Sequence, residues 1–125
     1  MEMNVEIDRL SKIFKVKLNG FPSVDGVQRV YENYESILEG IIPKNYSLLI
    51  DCYDIGVFQQ QAVSVLERLF KLYIDLGFKN IVLVKSKESI QNMQLTRVAR
   101  SVPGFYGVFV DDISEALKTC VQLNV

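Results

Sequence analysis

Apolar and polar residues alternate twice near the start of the chain, at Val5-Glu6-Ile7-Asp8 and at Phe14-Lys15-Val16-Lys17-Leu18. A period of two places alternate side chains on opposite faces of a strand, so each segment predicts a strand with one buried face. Leu10-Ser11-Lys12 is short enough to join the two as an antiparallel hairpin. Asn19-Gly20-Phe21-Pro22 breaks the pattern, and after Ser23 the spacing turns helical: Val27, Val30, Tyr31, Tyr34, Ile37, Leu38 and Ile41. Ser23 suits the N-cap, and Gly40 and Pro43 close this first helix. Ser47-Leu48-Leu49-Ile50-Asp51-Cys52 is nearly unbroken apolar sequence, the mark of a strand covered on both faces.

A second helix is expected over roughly 59–76, with Val65, Leu66, Leu69, Phe70, Tyr73 and Leu76 on a broad apolar side and Gly77 after its end. Ile81-Val82-Leu83-Val84 is another buried strand, followed by a less apolar helix over 87–101 that stops at Pro103-Gly104. Val108-Phe109-Val110 makes the last strand. Asp112 with Glu115 three residues on reads as a capping box for a terminal helix carrying Ile113, Leu117, Cys120 and Val121. The order β-β-α-β-α-β-α-β-α predicts a mixed, mostly parallel five-stranded α/β sheet with helices packed on it. No linker, repeat or low-complexity stretch divides the 125 residues, so 1–125 is expected to be a single domain.

Composition narrows the chemistry. Half the chain is apolar (49%), sufficient for a core without metals or disulfides. There is no histidine, and Cys52 and Cys120 lie on apolar stripes rather than in a C-x-x-C pair, which leaves zinc and thiol-redox sites without support. Residues 2–9 include Glu2, Glu6, Asp8 and Arg9, unlike a secretory leader, and no apolar run approaches the ~20 residues that span a bilayer. A cytoplasmic protein is expected.

A net charge of −1 provides no general attraction to nucleic acid or to an anionic membrane. The charges are nonetheless uneven. Residues 79–100 hold Lys79, Lys85, Lys87, Arg97 and Arg100 against Glu88, while 29–39 hold Glu32, Glu35 and Glu39 against Arg29. Two solvated faces of opposite sign account for this; so does an anion-facing patch near the third helix.

Several segments, taken in order, resemble the STAS domain of the anti-sigma-factor antagonists. Val16-Lys17-Leu18-Asn19-Gly20 is similar to the v-x-L-x-G end of an early STAS strand. The run from Asp51 to Leu66 aligns without a gap to the central D-L-S-G-V-x-F-I-D-S-S-G-L-G-V-L segment. Lys79 to Val84 is similar to the next strand, and Val110 to Leu117 to the closing f-D-s-x-e-e-A-L. The resemblance spans roughly residues 5–121 and implies a STAS-like regulatory domain that binds a protein partner. Its signature is where this chain departs. The family's D-S-S-G carries the phosphoacceptor serine at the start of the second helix, and here those positions read Gln59-Gln60-Gln61-Ala62. An amide cannot accept a phosphoryl group, so the serine switch is expected to be absent, although glutamines can still donate and accept hydrogen bonds. Ser64 is the nearest hydroxyl, expected about one turn into the helix.

Ligands of open parallel sheets gather beyond the carboxyl ends of the strands. Asp51, Asp54, Lys85, Ser86, Asp111 and Asp112 are the polar groups expected there. Acidic residues with a lysine at such ends resemble a phosphoacceptor receiver, but the acidic pair Asp111 and Asp112 follows the last strand rather than the first. With no histidine, no glycine-rich phosphate loop and no nucleophile beside a base, the sequence names no catalytic residues and no cofactor. The expectation is a non-enzymatic interaction domain whose partner-binding surface comprises Asp54, Val57, Phe58, Gln59, Gln60, Gln61 and Ser64, with Lys85 and Ser86 beside it. Val57 and Phe58 read either as a staple at the helix entry or as the apolar centre of an interface. An alternative is a small-ligand or lipid carrier of the same fold, because Leu72 and Ile74 exceed what one buried helix face needs. The same surplus permits a homodimer through that helix.

Overall fold

Five strands form one sheet in the order β1-β2-β3-β4-β5, each strand beside its sequence neighbour. The structure is a computed structural model that describes residues 2–124, the side chain of Glu35 excepted. β1 (Glu2–Asp8) and β2 (Ile13–Asn19) make the antiparallel hairpin, with Val5 opposite Val16. β3 (Ser47–Asp51), β4 (Asn80–Val84) and β5 (Val108–Val110) continue from β2 in parallel. The mixed, mostly parallel five-stranded α/β architecture expected from the sequence is the one observed.

This order dictates where the helices lie. Three successive parallel crossovers step along the sheet in one direction, and each is right-handed as a rule, so all three helices fall on one face. They are α1 (Val24–Ile37), α2 (Val63–Leu76) and α3 (Ser89–Ser101), and they share a core with Phe14, Val16, Leu18, Leu48, Ile50, Ile81 and Leu83. α4 (Ile113–Leu123) covers the opposite face, packing Ala116 and Cys120 on Leu49, Val82, Val84 and Val110. β3 is buried at every position because it is covered on both sides. Beyond the reach of α4, the outer face of the hairpin is polar, with Glu6 opposite Lys15 and Asn4 opposite Lys17.

Local signals act largely as the sequence predicts. The Ser23 hydroxyl accepts from the Gly26 amide at 3.1 Å, capping α1. Asp112 accepts from the Glu115 amide at 2.8 Å, while the Glu115 carboxylate returns to the amide of Asp111 rather than to that of Asp112. Three boundaries differ. α1 ends at Ile37 instead of running to Ile41, and a separate 3-10 turn at Pro43–Asn45 precedes β3. α3 begins at Ser89, two residues later than expected. The segment at 59–76 is not one helix: Gln60–Ala62 form a 3-10 turn, and the α-helix starts at Val63.

A polar clasp ties the end of α4 to the amino-terminal edge of the sheet. The Asn124 amide donates to the carbonyls of Ser11 and Lys12, and its oxygen accepts from the Ser47 hydroxyl at 2.6 Å. No sequence pattern announced it, since the partners are over 70 positions apart.

Candidate functional site

The site grows from the carboxyl ends of β2, β3 and β4. Beyond its last residue, Asn19, β2 continues as a single bridge from Gly20 to Ile55, and the Gly56 amide donates to the Gly20 carbonyl at 2.7 Å. The two loops therefore lie side by side. The Phe21 ring closes over Gly56 so tightly that a Cβ there would meet its Cδ1 at 2.7 Å, so any residue but glycine would displace the ring.

Asp54 stands between two ammonium groups, with Lys17 at 3.2 Å and Lys87 at 3.3 Å. Hydrogen bonds from the two lysines hold its carboxyl below the ordinary value of 3.8. A carboxylate engaged in this way is a strut between β2, the β3 exit and the β4 exit rather than a general base. Asp51 lies apart from it, its buried carboxylate accepting from the Tyr53 amide at 3.0 Å.

The expected partner-binding residues separate into two groups. Val57 is 45% exposed, and Gln59, Gln60, Gln61 and Ser64 all face solvent. Ser64 is the second residue of α2, nearer the bend than expected. Phe58 and Ser86 must be corrected, because both are buried. Phe58 packs into the helix-covered core, and its amide donates to the Gln94 side chain at 3.1 Å, so its ring is withdrawn from the surface. The Ser86 hydroxyl accepts from the Glu88 amide, and the Ser86 amide donates to Asn92 at 2.7 Å, which fixes the loop to α3. Lys85 is half-buried and paired with Asp111 at 3.2 Å, far in sequence from Asp51 and Asp54.

Two residues missed by sequence reasoning complete the surface. Phe21 is 70% exposed and Ile90 63%, and with Val57 they line a groove of about 630 Å³ that also includes Asp54, Gly56 and Lys87. Ile90 was legible in principle: it is out of phase with the buried stripe of Gln91, Leu95 and Val98, so α3 has to turn it outward. Phe21 gave no such signal, because it lies in a loop without periodicity. Among the described residues, no group of three or more cysteine, aspartate or glutamate side chains is placed to hold a metal ion.

Leu72 and Ile74 are both half-buried against the core, and the exposed positions of α2 are Lys71 and, at the intermediate level, Ser64, Arg68 and Asp75. Leu72 and Leu76 also border a second groove, of about 470 Å³, with Tyr31, Tyr34 and Leu38 of α1 and its flank. No described helix is long and apolar enough to cross a membrane.

No protein-family model and no curated protein matches the chain. Solved structures do. An uncharacterised DUF3478-family protein with a SpoIIAA-like fold from Shewanella loihica PV-4 superposes with a TM-score of 0.67 at 19% identity, over 95% of this chain and 92% of that one. The anti-sigma factor antagonist SpoIIAA in its unphosphorylated form gives 0.59 at 11% identity, over 97% and 98%. An anti-sigma factor antagonist from Mycobacterium paratuberculosis gives 0.60 at 13%, over 95% and 92%. With its sheet order, its helix placement and these superpositions together, the chain has the STAS-like fold of the anti-sigma factor antagonists.

Proposed function

We propose that this domain is a regulatory module that binds a protein partner at the carboxyl ends of its parallel strands, without a serine phospho-switch at the bend before α2. The observation that carries this reading is the convergence of Phe21, Val57 and Ile90. Three large apolar side chains from three separate segments stand exposed around one groove. Exposing such groups together opposes the hydrophobic effect unless a partner covers them. Gln59, Gln60 and Gln61 follow Val57 closely in the chain and are exposed, with side chains that hydrogen-bond but cannot be phosphorylated. The Asp54 strut and the Phe21–Gly56 contact hold the surface in place before binding, which lowers the entropy lost on association. Structures of the same fold bear the name anti-sigma factor antagonist, which agrees with a protein-binding role. A carried ligand would sit in the α1–α2 groove, which Leu72 borders while packing in part against the core.

The test is affinity capture from a lysate of the source organism, supplied with ATP, using the wild type and a Phe21→Ala/Val57→Ser/Ile90→Ser variant. Truncating a central apolar contact weakens an interface by about tenfold or more, so a protein held by the wild type should be lost by the variant while circular dichroism is unchanged. Equal capture by both would reject the surface, and stoichiometric phosphate on Ser64 would reject the absence of a switch.

A further inference from the structure

The outward stripe of α3 differs in character from the apolar groove beside it. Ser89, Asn92, Met93, Thr96, Arg97 and Arg100 recur at helical spacing and, with Lys85, line a groove of about 550 Å³. The opposite side of α3 is committed to the core through Gln91, Leu95, Val98 and Ala99. No lining residue is acidic. Arg97 and Arg100 form no salt bridge with any described residue, and only Lys85 is matched, by Asp111. Among these cations Met93 is 63% exposed, an unbranched and polarizable side chain that adapts to a partner's shape.

The wall of this groove is fixed. The Asn92 side chain accepts from the Ser86 amide at 2.7 Å and donates to the Ser86 carbonyl at 2.8 Å, closing a two-bond bracket between the β4 exit and α3. The Lys85 amide donates to the Val110 carbonyl at 2.9 Å. Arg97 and Arg100 are thus presented on a rigid frame, along a helix that rises about 1.5 Å per residue, with Lys85 beside them at the β4 exit. Ser89 belongs to both grooves, so the cationic stripe continues directly from the apolar surface.

We infer that the α3 stripe receives an acidic segment of the protein partner, its carboxylates meeting Arg97, Arg100 and Lys85 and an apolar side chain meeting Met93. This inference rests on the reading of the adjoining surface as a protein-binding site. Charge complementarity selects the occupant. A nucleic acid or an anionic bilayer needs a broad basic field, whereas the whole chain has a net charge of −1, Glu88 directly precedes α3 and Asp111 is paired with Lys85. A short acidic peptide needs only the three cations and the apolar spot between them.

The experiment titrates the isotope-labelled full chain with a short synthetic peptide of glutamates interrupted by two leucines, following amide resonances and anisotropy at low and physiological salt. The expected result is movement of the Met93, Thr96, Arg97 and Arg100 amides, with affinity falling about tenfold in an Arg97→Glu/Arg100→Glu variant and in the wild type as salt is raised. Equal binding of the same peptide with lysines in place of glutamates would overturn the inference. So would resonance changes confined to Phe21, Val57 and Ile90, or tighter arginine-dependent binding to phosphatidylserine vesicles than to the peptide. Failure here with loss of the captured protein in the Phe21/Val57/Ile90 variant would leave the proposed function standing. Peptide binding on α3 with no such loss would reject that function instead.

Discussion

Tyr34 and Tyr73 present a buried polar pair inside an otherwise apolar core. Their rings meet edge to face, with centroids 5.3 Å apart, and their hydroxyls hydrogen-bond to each other between α1 and α2. Each hydroxyl satisfies the other, which is what a buried polar group requires. Replacing either tyrosine by phenylalanine would strand the remaining hydroxyl at a cost of about 1–3 kcal/mol, whereas replacing both should cost little. A double-mutant cycle in urea should therefore show strong coupling, and additive single effects would contradict the pairing. Helical spacing identified both rings as core residues, but the bond between them could not be read, since 39 positions separate them. Phe58 teaches the same lesson in reverse. Adjacent Val57 and Phe58 look alike as apolar residues before a helix, and only the path of the chain through the bend sends one outward and the other into the core.

Elements were legible where the hydrophobic period was long and the punctuation strong. The hairpin, the two-sided burial of β3 and β4, and the caps of α1 and α4 all follow from patterns of a few adjacent residues. Boundaries at the bend before α2 were not, because glutamine is as compatible with a 3-10 turn as with an α-helix, and no capping side chain marks the start at Val63. The other end of α2 is sharper. Gly77 adopts φ +77°, a left-handed conformation that costs a residue with a Cβ about 1–2 kcal/mol. A Cβ at that position would meet only ordinary contacts, the nearest atom being Lys44 Cγ at 3.6 Å. Gly77→Ala should thus lower the denaturation midpoint by the backbone term alone, with an unchanged urea slope; no loss of stability would mean that α2 does not need its left-handed terminator.

At the scale of the molecule, the buried acids set how stability responds to pH. Burial pushes Cys120 up to about 11 and pushes Cys52, Tyr34 and Tyr73 higher still. The folded chain keeps these protons beyond the ordinary values of 9.0 and 10.0 at which the unfolded chain gives them up. Their contribution is fully present below about pH 9 and is lost progressively as pH rises from there toward the folded values. Urea midpoints measured from pH 7 to 11 should fall above pH 9, and a Cys52→Ala/Cys120→Ala variant should begin its decline nearer pH 10. A flat profile would contradict the burial of these groups.

The sequence alone determined the alternation of strands and helices, the STAS-like architecture and the run of glutamines at the bend, because each is written in residues close together along the chain. The tertiary structure decided which apolar residues remain uncovered and which charges remain unpaired. Phe21, Val57 and Ile90 converge, Phe58 and Ser86 withdraw, and Arg97 and Arg100 stand free of described acidic partners only once β2, β3, β4 and α3 are assembled. Solvent exposure and ion pairing are properties of what lies across space, and segments tens of residues apart meet only through the order and handedness of the sheet.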